Sequence, residues 1–302
     1  MNALELTGVT KTFGAKVAVD DLSLSVPAGS VYGFIGPNGS GKTTALRLLM
    51  RILYPDRGAI RVLGCDVSEA ALERIGYLPE ERGLYRKMKL WDVLTFLGEL
   101  RAGHGVDVQV QAWLERFGLA ERAMARVEEL SKGMSQKAQF IAAVVPRPEL
   151  LVLDEPFSGL DPVNADVLRE AVMELSAAGT TVVFSTHDMS AAEQLCDYVF
   201  MIQQGRKVLD GTLESIKSEY GADTIRVTGR LEEAALAGLP GVAHVAGRGH
   251  LKELRLAAGA QPQDLLARVV ALGPVERLEI ARPSLHDIFV RLAQPTGEPT
   301  CA

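Results

Sequence analysis

Eight consecutive residues carry the plainest chemistry in this 302-residue chain. Gly36-Pro37-Asn38-Gly39-Ser40-Gly41-Lys42-Thr43 fits the pattern G-x-x-x-x-G-K-[ST]. Glycines at these positions let backbone N–H groups turn inward onto phosphate oxygens. The lysine reaches β- and γ-phosphates, and the hydroxyl after it binds Mg2+. Such a loop needs a strand before it and a helix after it. The apolar run 31–35 supplies the first and the helix-forming run 44–50 the second. The helix N-terminus adds partial positive charge towards phosphate. A glycine-rich turn without a ligand would not require those flanks. Gly36, Asn38, Gly39, Ser40, Gly41, Lys42, Thr43 and Thr44 are therefore the expected binding residues for a nucleoside triphosphate.

A second constellation is the apolar run 150–153 ending in Asp154 and Glu155. A strand of this kind can carry Asp154 beside the glycine-rich loop, where it holds hydrated Mg2+. Glu155 then faces the terminal phosphate and orients and activates water. Phosphoryl transfer needs that division between charge neutralisation and a positioned nucleophile. The plain alternative is an acidic pair in solvent at a strand end, and the loop upstream weighs against it.

The elements that must position these groups can be read from periodicity. Residues 4–9 and 22–26 alternate apolar and polar, as half-buried antiparallel strands do. A further strand at 60–63 follows the turn 55–58. From about 90 to 146 the period becomes helical, with Leu90, Val93, Leu94 and Leu97 on one face, then Trp113, Leu114 and Phe117, then Phe140, Ile141, Val144 and Val145. Strand 150–153, a helix over 163–175 capped by Gly179, and strand 181–185 restore an α/β pattern. A hairpin over Gln204-Gly205 joins 198–202 to 206–209. The fold class is therefore α/β: a mixed sheet, an antiparallel β subdomain and a helical insert, all within residues 1–220. Residues 221–302 read as a small α+β unit of order β-α-β-β-α-β, as in ferredoxin-like folds. A last helix over 284–292 and a fraying tail at 295–299 follow. His244 and His250 read as surface or structural histidines.

Composition narrows the partners. A net charge of −6 gives no default basic face for nucleic acid. Cys65, Cys196 and Cys301 are widely spaced and form no C-x-x-C pair, which suggests free thiols in a reducing compartment. Cys65 and Cys196 read as buried apolar fillers. The first seven residues lack the basic flank and apolar core of a signal peptide. No apolar run approaches the ~20 residues that span a bilayer. Any membrane part is expected on another chain.

Further segments carry a resemblance. Leu130-Ser131-Lys132-Gly133-Met134-Ser135-Gln136, alone, reads as an N-cap and a turn. In company it resembles the signature motif of the ATP-binding cassette (ABC) family, usually Leu-Ser-Gly-Gly-Gln. Ser158-Gly159-Leu160-Asp161 resembles that family's D-loop, and Thr186-His187-Asp188 its switch histidine. Lys11-Thr12-Phe13-Gly14 resembles its A-loop, and residues 75–80 its Q-loop. The motifs occur in the family's order over roughly residues 4–215. The resemblance implies a head-to-tail dimer, homomeric or with a paralogue, that sandwiches two ATP molecules. Ser131 and the Gly133 N–H would contact the γ-phosphate across the interface. Asp161 would communicate between sites, His187 would hold the γ-phosphate and attacking water, and Phe13 would stack on adenine. Without the resemblance, His187 is equally a strand-end histidine and Phe13 an ordinary half-buried aromatic. The implied catalytic set is Glu155, His187 and Lys42, and the implied metal set Thr43, Asp154 and Glu80.

Two departures stand out: Glu80 where most members carry Gln, and Lys132 and Met134 within the signature. Pro79-Glu80-Glu81-Arg82-Gly83-Leu84-Tyr85, the Ser-Lys-Gly-Met run and the ending Pro283-Ser284-Leu285-His286-Asp287-Ile288-Phe289 are similar to bacterial ABC exporters of the sodium- and drug-efflux type. That likeness implies a peripheral ATPase at the cytoplasmic face of the plasma membrane, powering a permease that touches residues 80–89 and the helical insert. On the residues alone, 80–89 is equally a solvated charged loop. A soluble ABC ATPase of ribosomes or nucleic acid is the alternative. The single cassette, the lack of a heptad insert and the acidic charge weigh against it.

Overall fold

The computed structural model describes residues 1–66, 69–81, 83–220, 224–257 and 259–293. Alternating apolar residues give two long strands, β1 (Asn2–Phe13) and β2 (Lys16–Pro27), paired antiparallel. β3 (Val31–Ile35) is buried throughout and leads through the glycine-rich loop into α1 (Lys42–Leu49). β4 (Arg57–Val62) and β5 (Cys65–Asp66) extend the first sheet, whose order is β2-β1-β4-β5. α2 (Glu69–Glu73) and β6 (Ile75–Leu78) follow. Then come the helices of the insert, α3 (Leu90–Ala102), α4 (Asp107–Arg116) and α5 (Lys132–Val144). The chain returns through β7 (Leu150–Asp154), α6 (Pro162–Ala177), β8 (Thr181–Thr186), α7 (Met189–Leu195), β9 (Tyr198–Gln203) and β10 (Arg206–Thr212).

The second sheet runs β10-β9-β3-β8-β7-β6 and is parallel from β9 to β6. Covered on both faces, its strands are continuous apolar runs, as the sequence of 150–153 requires. Side chains of both sheets and of α1 share one core, among them Leu4, Leu24, Phe34, Leu46, Leu49 and Val183. The β9–β10 turn has positive φ at both Gln204 (51°) and Gly205 (79°), the geometry a two-residue hairpin demands. In the insert, the Trp113, Phe117 and Phe140 rings pack with centroids 5.5–6.0 Å apart. Among the described residues no helix is long and apolar enough to cross a membrane.

The chain divides into Met1–Gly211 and Thr212–Ala302, nearer the N-terminus than the boundary expected at 220. Thr212 is the reason. Its hydroxyl accepts the Ser215 N–H and caps a helix the periodicity did not reveal, α8 (Leu213–Glu219). Beyond it lie β11 (Thr224–Gly229), α9 (Glu233–Ala237), β12 (Val242–Arg248), β13 (Leu251–Leu256), α10 (Pro262–Ala271), β14 (Val275–Ala281) and α11 (Leu285–Ala293). The sheet order is β12-β13-β11-β14, every pairing antiparallel. Ile225, Val227, Leu236, Leu254, Leu265 and Val269 form a separate core.

Cys65 departs from expectation. It is exposed, because β5 is a two-residue edge strand, whereas Cys196 is buried as expected. The tail 295–299 and Cys301 lie outside the described residues.

Candidate functional site

The glycine-rich loop closes on itself before it meets anything else. Lys42 Nζ donates to the Gly36 carbonyl at 2.7 Å and the Pro37 carbonyl at 3.3 Å. Gly36 cannot carry a side chain: a Cβ there would lie 2.2 Å from the Ile202 carbonyl oxygen and 2.8 Å from Ser40 Oγ. Gly41, the N-cap of α1, has φ 111°, and a Cβ there would meet the Ala18 carbonyl at 2.4 Å. With these backbones pressed together, the loop is built as a cradle. It opens on a cleft of about 410 Å3 that Asn38, Gly39, Gly41, Lys42, Thr43, Thr44, Glu80 and Glu155 line, with Lys16 and Ala18 from β2.

β7 delivers the two carboxylates to the same place. Asp154 is fully buried, and Thr43 Oγ1 lies 3.3 Å from its Oδ1. Asp154 Oδ2 makes no hydrogen bond among the described residues although it is buried. A buried carboxylate oxygen without a partner is costly, and a cation at that point would relieve it. The available donors, a hydroxyl and a carboxylate, are hard oxygens. Among the described residues no cluster of three or more His, Cys, Asp and Glu stands ready for a metal. An ion held here must complete its shell with water and phosphate oxygens, which is the habit of Mg2+. The residues present therefore fit that ion.

Glu155 follows with φ 48°, a left-handed backbone rarely taken by a residue with a side chain. Its carboxylate stands 3.6 Å from Lys42 Nζ, and both its oxygens lie 3.0 Å from His187 Nδ1. Strain of this kind gathers where a side chain must point in one direction. The result is a base candidate between a cation and an imidazole, next to an Asp–Thr pair suited to Mg2+.

Residues 19–158 match the ABC transporter family, and residues 211–293 match the C-terminal domain of ATP-binding proteins like DrrA1-3. An uncharacterised ABC transporter ATP-binding protein of Bacillus subtilis (strain 168), YhaQ, is 40% identical over 95% of this chain and 97% of its own. The Nod factor export ATP-binding protein I of Rhizobium sp. (strain N33) is 34% identical over 96% of both. A solved ATP-binding subunit of an ABC transporter superposes with a TM-score of 0.68 at 30% identity, over 72% of this chain and 93% of its own.

The chain is a member of the ABC transporter ATP-binding proteins. As an ABC ATPase it binds ATP, and its second unit matches the DrrA1-3-like C-terminal domain.

Within this ABC ATPase the remaining motif residues stand apart from the cleft. Ser131 is the N-cap of α5, its hydroxyl accepting the Met134 N–H at 3.2 Å, and Gly133 lies in the first turn. Asp161 caps α6 through the Asn164 N–H at 3.0 Å, with Pro162 beginning the helix. The Asn164 backbone N–H and then its side-chain amide hold the Asp161 carboxyl below the usual carboxylate range. Phe13 ends β1, is 48% exposed and lies under the ammonium of Lys11, 5.7 Å from the ring centre. None of the four lines the cleft of its own chain.

The geometry also brings in Ser185, which sequence reasoning did not select, and gives contacts to two residues of the 130–136 run. Ser185 Oγ donates to Asp154 Oδ1 and accepts the Glu155 N–H, so one hydroxyl fixes both carboxylates. Gln136, in the signature helix, donates to the Pro156 carbonyl at 3.0 Å and ties α5 to the segment after Glu155. Lys132 packs over Gly159, where a Cβ would lie 2.5 Å from its Cε. The signature and D-loop segments are thus in contact within one chain.

Proposed function

We propose that this ABC ATPase hydrolyses ATP between two copies of the chain and drives a separately encoded exporter permease. The observation that carries the reading is the placement of Glu155, with its carboxylate in contact with His187 and close to Lys42 at the mouth of the phosphate cradle. Lys42 and the loop N–H groups bind the β- and γ-phosphates. Glu155 takes a proton from water as the water oxygen bonds to the γ-phosphorus. The bond from that phosphorus to the bridging oxygen breaks, and ADP leaves with the electron pair. His187, held through Nδ1, keeps the carboxylate aimed and turns its other nitrogen towards the γ-phosphate. Thr43 and Asp154 would hold Mg2+, with Glu80 at the rim as a further carboxylate; the ion would neutralise charge on the phosphate oxygens.

The dimer is supported by what the single cleft lacks. Ser131, Gly133 and Asp161 sit on other elements, so a partner copy, identical or paralogous, supplies them to the γ-phosphate. Phe13, exposed at the end of β1, stacks on adenine. Export is supported by the kinship with the Nod factor export protein and the DrrA1-3-like second unit. The permease docks on residues 80–89 and the insert, where Tyr85 and Phe96 form an exposed ring pair 6.2 Å apart. That assembly holds the ATPase at the cytoplasmic face of the plasma membrane. The second unit is a ferredoxin-like fold, supported by its split β-α-β order and by the sheet order β12-β13-β11-β14.

Glu155→Gln tests the reading. Steady-state hydrolysis should fall by roughly a hundredfold or more, while ATP binding persists and sizing shows a long-lived closed dimer. Turnover at the normal rate in that variant would remove Glu155 as the base.

A further inference from the structure

The sheet of the second unit has two unlike faces. One packs Ile225, Val227, Leu254 and Leu256 into its core. The other is polar, and strand register sorts it into rows. One row runs Ala246–Glu253–Arg226–Glu279 and is internally balanced: Arg226 Nε donates to Glu253 at 2.5 Å, and its NH1 lies 4.0 Å from Glu279. The neighbouring row runs His244–Arg255–Thr224–Ala281 and contains no acid. Thr224 and Ala281 are small, and the space above them is a cavity of about 360 Å3. Arg282, between β14 and α11, and His286, in the first turn of α11, also line it.

The charges around this cavity do not cancel. Neither Arg255 nor Arg282 makes an ion pair among the described residues, and both are exposed. Glu253 is held by Arg226. Asp287 accepts from the Ser284 N–H at 2.9 Å and the Ser284 hydroxyl at 2.6 Å, so its carboxylate is engaged in starting α11. Three guanidinium groups (Arg226, Arg255, Arg282) and two imidazoles line one concavity with two carboxylates, Glu253 paired to Arg226 and Asp287 bonded to Ser284, so Arg255 and Arg282 give it an excess of positive charge. Its size suits a small ligand or a headgroup. A guanidinium fork matches the oxygens of phosphate.

We propose that this cavity binds a phosphate group through Arg255 and Arg282, presented either by a small phosphate ester or by an anionic lipid headgroup. This site is separate from the nucleotide cleft and does not rest on the hydrolytic mechanism. The test is calorimetric titration of the full chain at fixed ionic strength. One arm uses glycerol 1-phosphate; the other compares phosphatidylglycerol vesicles with phosphatidylcholine vesicles. Saturable binding is expected in one arm, and the arm that responds identifies the source. Arg255→Gln with Arg282→Gln should weaken it about tenfold or more, and Arg255→Lys should weaken it less. Lys42→Ala, which disables the cleft, and Arg277→Gln, on the same sheet outside the cavity, should leave it unchanged. ATPase activity of the double variant should persist, which shows that the chain is folded. The proposal is overturned if neither probe binds, if the double variant binds as tightly as the parent, or if Lys42→Ala abolishes the signal.

Discussion

Ser185 and Asp154 are joined by a 2.5 Å hydrogen bond from hydroxyl to carboxylate, across the register that sets the two residues opposite each other on β8 and β7. Because the same hydroxyl accepts the Glu155 N–H, the carboxylate suited to the metal and the proposed base share one anchor.

Ser185→Ala should therefore affect stability and catalysis together. It leaves a buried N–H unpaired and removes a donor from a buried carboxylate, at a cost of about 1–3 kcal/mol. Urea unfolding should show that loss, and ATPase assays should need more Mg2+ for half-maximal rate. Unchanged values in both measurements would refute the shared anchor.

Two glycines of the cradle should respond differently to alanine. At Gly36 a Cβ meets backbone at 2.2 Å, so the loop must move and nucleotide affinity should collapse. At Gly39 the space is open and only φ 77° resists, a strain of about 1–2 kcal/mol. Gly39→Ala should lower the unfolding midpoint modestly while keeping more of the affinity than Gly36→Ala. Equal affinity losses would contradict the steric argument.

Acid should loosen the end of β1. Asp56 accepts from Lys11 Nζ at 2.8 Å and from the Thr12 N–H and hydroxyl at 2.7 Å each. Lys11 first, then Thr12, pulls its pKa down to about 2. The folded value lies below the unfolded one, so the stabilisation is present above about pH 4 and fades as pH falls through about 2. Asp56→Asn should flatten the acid limb of a urea-midpoint profile between pH 5 and pH 2. Because Thr12 precedes Phe13, it should also weaken ATP binding at neutral pH. A variant with the parent's acid limb would count against this link.

The thiols should separate by reactivity. Burial first, then Asp197, raises the Cys196 pKa far above the usual thiol range, while Cys65 is exposed. In a Cys301→Ser protein at pH 8, a disulfide reagent should titrate one thiol quickly and the second only on unfolding. Two fast thiols would show that Cys196 is accessible.

How much of this was legible in the sequence follows from the range of the forces involved. The phosphate cradle and the run ending in Asp154-Glu155 were readable because each depends on local residue types and spacing. Ser185 was not, since a serine at a strand end has no pattern until β7 and β8 lie side by side. β6 was hidden because Ile75-Gly76-Tyr77-Leu78 is short and does not alternate; Gly76 is required by the Ala143 carbonyl, 2.3 Å from where a Cβ would lie. Cys65 was misjudged because two residues of edge strand bury nothing. The α8 helix shifted the boundary because its cap, Thr212, also ends a strand. The strands and helices from β11 onward were found in order, since each carries a full period of its pattern.

One consequence follows from the φ of 48° at Glu155. Glycine would ease that turn of chain, yet glycine deletes the carboxylate. Relaxing this residue to make the protein hardier would therefore remove the proposed base. Gains in robustness must be sought elsewhere in the chain.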